Sequence, residues 1–386
     1  MKPGLVFTFV VLLSLTVLTF TSVGQEAPIP IADNIAQGGT GTWSNLAAES
    51  RTAIAGEAAA SVLNTTSSVT IRSIQHWTGS FKYAATGTIY PYTMIGTNPF
   101  KYPVSSTVAV ALIPLRFVFD SYVVNGKALV LSPWSKLSAL KASPLWASHN
   151  YGFGSAQYID ALQRDSFSRT NGYHVRLGSP RMIPTYTVHV SSTNGKVYKT
   201  SKGYVGAVDI SFLLNLVSTL PHKLGVNSNE LAIVASNNVY GTQLSDSSFY
   251  YYGYHGNTQI SSTSTTKTVQ VWAWSSWIGP GWFGNTNTLD VTGFTHEVAE
   301  VGNDPFLSNF APYYDLNGSC TSIVEVGDIT EALWNDSKSV SVNGYTYHVA
   351  NVAMIPWFSR TAATTTTKSY SFPSTSLLTT ASPKCQ

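Results

Sequence analysis

Charge is what this chain has least of. Only 11% of its 386 residues are Asp, Glu, Lys or Arg, against about a quarter in ordinary globular proteins. With 22 basic and 19 acidic residues and a net charge of +3, no basic stripe can form. That excludes a nucleic-acid partner held by phosphate neutralisation. Nucleotide signatures are missing too: there is no P-loop and no G-x-G-x-x-G after a strand. No G-x-S-x-G elbow marks a serine hydrolase. After residue 20 no segment is long and apolar enough to span a bilayer.

What is present points to a folded, exported chain. Hydrophobic residues make up 44% and aromatics 12%, which argues against intrinsic disorder. Lys2 is followed by an apolar run, Leu5 to Phe20, and then Ser22-Val23-Gly24. Small residues stand at the −3 and −1 positions of a signal-peptidase site, so residues 1–24 read as a signal peptide with Gln25 as the mature start. The alternative is an uncleaved anchor, but the run is near the lower length for a span, about 17 residues. No Cys follows it, which argues against a lipoprotein anchor. The expected location is secreted: extracellular, periplasmic or cell-surface. The two cysteines, Cys320 and Cys385, are expected to pair in such a compartment; the alternative is two free thiols.

Residues 25–68 read as a loose lead-in followed by an Ala-rich helix at 45–63. From Val69 to Tyr204 the texture is β. Thr107–Ile113 and Arg116–Phe119 read as strands, and Asn125-Gly126 as the turn of a hairpin. Helices are expected at 155–166, 209–220 (ended by Pro221) and 289–302, and strands at 231–235 and 269–277. Asp160, Arg164 and Asp165 on the first of these helices read as i,i+4 ion pairs. The fold class is therefore α+β, a β-rich single large domain over 69–358. From Ser359 to Gln386, 14 of 28 residues are Ser or Thr, which reads as a flexible or extended tail.

The few charges are unevenly placed. Between Lys267 and Lys338 there is no Lys or Arg, yet nine acids: Asp290, Glu297, Glu300, Asp304, Asp315, Glu325, Asp328, Glu331 and Asp336. Buried carboxylates need a cation or a proton. A metal ion satisfies that need; the alternatives are distant bases folded onto the patch, or simple solvation. The run Thr295-His296-Glu297-Val298-Ala299-Glu300-Val301-Gly302-Asn303-Asp304-Pro305 sharpens the choice. At 100° per residue His296 and Glu300 share a face and can bind one ion from successive turns. Glu297 stands beside them, where the base of an H-E-x-x-H metallopeptidase stands. Phe294, Val298 and Val301 lie opposite, giving an amphipathic helix. Gly293 is expected to leave open space beside the polar face, and Gly302 to stop the helix. Downstream, Glu325-Val326-Gly327-Asp328 offers a third ligand and a supporting carboxylate.

These motifs resemble a family of secreted bacterial proteins with an H-E-x-x-E…E-V-G-D order, and are distantly similar to the plant cell-surface Exordium proteins. Tyr92–Pro99, Ala156–Arg164 and Gly253-Tyr254-His255-Gly256 fit the bacterial family as well, so the resemblance spans about residues 70–335. It implies a zincin-like metal-binding helix in a site within 290–331. Its ligands would be His296 and Glu300, joined less securely by Glu325 and Asp328, with Glu297 as catalytic base. One divalent ion is implied, zinc favoured. One His among carboxylates is an oxygen-rich set that also suits manganese, calcium or iron. His255 is a candidate second nitrogen, although a lone His beside Tyr is more often packed core. The remaining His residues, His348 among them, read as structural.

The expected function is a secreted metal-dependent hydrolase, a metallopeptidase acting on a peptide or protein. The rival is a non-catalytic cell-surface protein with a structural metal. Trp272, Trp274, Trp277 and Trp282 raise a glycan partner for that rival, against the plainer reading of a β core.

Overall fold

A computed structural model of the chain describes residues 70–385 except 102–103, 201, 245, 281–287, 317 and 332–336; for 246–250 it describes the backbone alone. The expected signal peptide, the lead-in with its helix, Trp282 and Asp336 lie outside the described residues. The elements that position the site are, in chain order, β1 (Thr70–Arg72), β2 (Ser105–Val124), α1 (Tyr158–Ser166), β3 (Tyr186–Val190), α2 (Ile210–Lys223), β4 (Glu230–Asn237), β5 (Gly253–Ser262), β6 (Thr266–Trp277), α3 (Thr292–Asn303) and α4 (Asp328–Glu331).

A mixed sheet forms the middle of this β-rich domain. β1 and β4 both pair in parallel with β6, β4 with β2, and β2 with β3. β5 runs antiparallel along the other side of β6. Parallel strands need cover on both faces, and here they have it. Val110, Leu112, Leu231, Ile233, Val271 and Ala273 face a core shared with α1 and α3. Ala111, Ile113, Ala232, Val234, Trp272 and Trp274 face a second core closed by α2. The period-two alternation of side chains along each strand thus feeds two cores from one sheet.

Local chemistry explains several elements and corrects several expectations. The two strands expected at 107–113 and 116–119 are one twenty-residue strand, β2, that runs through Pro114. It turns at Asn125 and Gly126, with φ of 51° and 75°, the type I′ geometry that Asn-Gly favours, and pairs back on Lys127–Leu131. Asp209 caps α2 by accepting hydrogen bonds from the N–H groups of Ser211 and Phe212. Pro221 lies inside α2 rather than ending it. The expected ion pair on α1 does not form. Asp160 instead accepts from His174 Nδ1 at 2.9 Å and the Val175 N–H at 3.1 Å, Arg164 donates to the Thr170 carbonyl, and Asp165 accepts from Thr367 at 2.8 Å.

The Ser/Thr-rich segment after 359 is laid against the domain, not hanging free. Phe372 is buried against Tyr158 and Tyr151, and Ser371-Phe372 pairs with Val352-Ala353. Cys320 and Cys385 are disulfide-bonded, which fixes the segment's end to the hairpin Phe310–Leu316 and Ser319–Ile323. That hairpin leads directly into the acidic loop at 325–328. No described helix is long and apolar enough to cross a membrane.

Candidate metal centre

Helix α3 reads in the sequence as amphipathic, with a polar His-Glu-Glu face opposite an apolar one. All twelve of its residues are buried, so the polar face points into an internal polar chamber. The docking is close. A Cβ on Gly293 would meet Ser275 Oγ at 2.3 Å and Tyr252 Cδ2 at 2.8 Å. The space expected at Gly293 is therefore filled by the sheet. Gly302 does not stop the helix; it lies in the last turn against Ile159 of α1, where a Cβ would meet Ile159 Cδ1 at 2.5 Å. Asn303 and Asp304 end it. Asp304 accepts from the N–H groups of Ser308 and Asn309, and Asn309 in turn exchanges hydrogen bonds with Thr93 at 2.8 and 2.7 Å. The Asn-Asp-Pro motif thus builds the turn below the site, and burial raises Asp304 to about 7 despite these two donors.

Glu300 stands at the centre of the chamber. Its Oε1 lies 3.1 Å from His296 Nε2, and its Oε2 lies 3.1 Å from His255 Nδ1. The Gly327 N–H donates to the same Oε1 at 3.2 Å. Asp328 Oδ1 approaches His296 Nε2 to 3.3 Å, and Glu331 Oε2 approaches His296 Nδ1 to 3.8 Å. On the other side, Glu297 Oε2 and Glu325 Oε2 lie 3.5 and 3.9 Å from the two nitrogens of His255. The structure therefore brings together all five predicted residues: His296, Glu297, Glu300, Glu325 and Asp328.

It also adds two residues. His255, weighed in the sequence mainly as packed core, projects from β5 opposite Ala273 of β6, on the face that α3 covers. Its neighbour Tyr254 points the other way and stacks on Trp272. Strand alternation through Gly253-Tyr254-His255 carried that signal. Glu331 is brought in by the single turn of α4, three residues after Asp328.

The tryptophans settle the other way. Trp272, Trp274 and Trp277 are 4%, 0% and 4% exposed. They are core, with no flat face free for a sugar. Among the other histidines, His348 Nδ1 pairs with Asp290 at 2.7 Å just before α3, a structural contact.

The electrostatics follow from burial and proximity. Burial pulls both imidazoles down, but the carboxylates outweigh it. Glu300, Asp328 and Glu297 hold His296 well above its ordinary range. Glu325, Glu297 and Glu300 do the same for His255. Burial pushes Glu300 up, and the two imidazoles override it, holding that carboxyl well below the usual range. Glu325 is raised by burial and then by the charge of Glu300. Among the described residues, neither Glu300 nor Glu325 has a Lys or Arg within salt-bridge reach.

A cation fits this set on three observations. His296 Nε2 and His255 Nε2 are buried and make no hydrogen bond, although carboxylate oxygens lie 3.1–3.9 Å away. Donor atoms about 2.1 Å from one ion sit about 3.0–3.4 Å from each other, and 3.1 and 3.3 Å are the spacings at His296. Gly327 is a cradle: a Cβ there would meet His296 Cε1 and Nε2 at 2.6 Å. The donors form three overlapping triads: His255-Glu300-Glu325, His296-Glu297-Glu300 and His296-Asp328-Glu331. Access is narrow. Glu325 and Glu331 keep 18% and 22% of their side chains exposed, while His296, Glu297 and Glu300 keep 1–2%. Compared with known proteins, the chain matches no family model, no curated protein and no solved structure, so the chemistry of the site rests on its geometry.

Proposed function

We propose that this chain is a secreted metal-dependent hydrolase of zincin type, acting on peptide bonds. The observation that carries it is the buried approach of Glu300 Oε1 and Asp328 Oδ1 to His296 Nε2, at 3.1 and 3.3 Å, with that nitrogen lacking any hydrogen bond. These three residues would hold one divalent ion, zinc by preference, with Glu325 the remaining carboxylate of the expected set nearby. Such an ion, when bound, acidifies water and polarises a carbonyl oxygen.

The chain's own part is positioning and proton transfer. Glu300 is oriented from below by the Gly327 N–H. His296 is fixed between the Gly327 cradle and the edge of Tyr252. Glu297, on the next helical position, stands beside Glu300 and is held in place by the backbone of β5; a Cβ on Gly253 would meet its Oε1 at 2.4 Å. A carboxylate there can accept a proton from attacking water and return it to the leaving amine. The near-complete burial of His296, Glu297 and Glu300 keeps bulk water out and strengthens every charge among them.

One observation favours a second reading, a cell-surface protein that keeps the ion for stability: Glu297 is only 1% exposed, so a substrate needs an opening of the chamber. The experiment separates the two. Metal content is measured by plasma mass spectrometry on the full chain, together with hydrolysis of a quenched fluorescent peptide library. The hydrolase reading expects stoichiometric metal in the wild type, its loss in His296→Ala, and retained metal with lost hydrolysis in Glu297→Gln. A wild type without stoichiometric metal sinks both readings. Stoichiometric metal with no cleavage of any peptide leaves the structural one.

A further inference from the structure

We infer that the chamber is a two-cation centre, with Glu300 bridging a second ion held by His255 and Glu325. The inference rests on the metal-binding reading above and extends it to a site that the His296 cluster does not explain.

The two oxygens of Glu300 face different imidazoles. Oε1 addresses His296, and Oε2 addresses His255, each at 3.1 Å. A carboxylate presenting one oxygen to each of two nitrogen donors is the geometry of a bridging ligand, and bridged ions in two-metal sites stand about 3.5–4 Å apart. On the His255 side the donor set is complete in kind: an imidazole, the second oxygen of Glu300 and Glu325, all within mutual ligand range.

The orphaned atoms are on that side too. His255 is 4% exposed, and its Nε2, 3.9 Å from Glu325 Oε2, has no hydrogen-bond partner; neither has that oxygen. An ion at His296 alone leaves the Glu325 oxygen unsatisfied, whereas one held by His255, Glu300 and Glu325 through a single imidazole nitrogen would satisfy it; a buried polar atom without a partner costs about 1–3 kcal/mol.

Charge points the same way. Glu297, Glu300, Glu325, Asp328 and Glu331 surround two imidazoles. With every carboxylate ionised and both imidazoles neutral, one divalent ion would leave three negative charges in a largely buried cluster unless His255 and Glu325 hold protons in place of a second ion. Two ions leave one, which water or a substrate group can accommodate. Glu297 is 3.5 Å from His255 Nδ1 and is grouped with His296 and Glu300, so it stands beside both imidazoles.

The test uses the full chain loaded with Mn2+ and cleared of excess ion. Plasma mass spectrometry should give about two ions per chain, and electron paramagnetic resonance should show the exchange-coupled spectrum of a pair bridged by a carboxylate. His255→Ala and Glu325→Gln should each halve the stoichiometry and convert the spectrum to that of an isolated ion. Glu325→Gln keeps volume and shape, so it decides the matter if His255→Ala fails to fold. One ion in the wild type, or two ions without coupling, overturns the bridged centre and leaves the single-ion hydrolase standing. Two coupled ions that persist in both variants overturn the assignment of His255 and Glu325. No bound ion removes the bridged centre and the hydrolase together.

Discussion

Gly327→Ala is the perturbation on which the metal centre depends most directly. Gly327 does not occupy the left-handed region, so alanine adds no backbone strain there and its effect is steric. The new Cβ would lie 2.6 Å from His296 Cε1 and Nε2 and 2.7 Å from Cδ2. Ordinary contact begins at 3.4 Å, so ring and loop must part by about 0.8 Å. Ligand distances tolerate only about 0.2 Å before a metal site degrades. The ring has little room to yield, since Tyr252 stands edge-on to it. The loop cannot move without lengthening the Gly327 N–H bond to Glu300, already 3.2 Å. Overpacking of this kind costs about 1–3 kcal/mol, which corresponds to a loss in metal affinity of about 5-fold to 150-fold. Competition with a chromophoric chelator measures it, alongside a thermal melt of the metal-free protein to show that the fold survives. Gly253→Ala is the matched control. Its Cβ meets Glu297 rather than a ligand of the His296 ion, so it should disturb hydrolysis far more than affinity at that ion. Wild-type affinity in Gly327→Ala, at unchanged melting temperature, would refute the cradle and the placement of the ion at His296.

Two further outcomes test the frame around the site. Glu230 is gripped by Arg181 through bonds of 2.9 and 2.7 Å and by Asn227, which hold its carboxyl down at about 2 from an ordinary 4.5. A depressed carboxylate stabilises the fold above pH 4.5, and that contribution drains away as pH falls toward 2. Arg181 is 47% exposed, so solvent reduces the nominal 3 kcal/mol to about 1–2 kcal/mol; the urea-stability gap between wild type and Arg181→Met should shrink across that window, and a gap independent of pH would refute the pairing. Removing the Cys320–Cys385 bond by Cys385→Ser opens a loop with a sequence separation of 65, worth about 4 kcal/mol in the chain-entropy model; guanidinium unfolding should register most of it, and a change below about 1 kcal/mol would show that the packed segment around Phe372 restrains the chain without the bond.

How much of this was legible in the sequence depends on the kind of signal each residue carries. His296, Glu297 and Glu300 lie within five positions of one another, and helical spacing alone sets their relative directions. The acidic window supplied Glu325 and Asp328 because carboxylates without bases need a countercharge wherever the chain places them. Glu331 sat in the same window but was not singled out, since only the one-turn helix at Asp328–Glu331 aims it at His296 Nδ1. His255 is the instructive case. It lies 41 residues before His296, and nothing local distinguishes it from a core histidine. Its direction is fixed by register: β5 pairs antiparallel with β6, His255 falls opposite Ala273, and Tyr254 is committed to the far face by its stack on Trp272. Tertiary packing also changed what two local readings imply. A helix with one polar face normally shows that face to water, but α3 is docked by Gly293 against Ser275 so closely that its polar face can only look inward. The Ser/Thr composition after residue 359 suggested a flexible or extended tail because hydroxyls are polar. Here they instead satisfy buried partners, as Thr367 does for Asp165 and Ser371 for the Ser374 carbonyl. Composition reports what a segment can bond to, while the sheet decides what it meets. At the metal centre that distinction is the chemistry itself: α3 alone provides a ligand pair and a base, and the imidazole delivered by β5 gives Glu300 a second nitrogen to face.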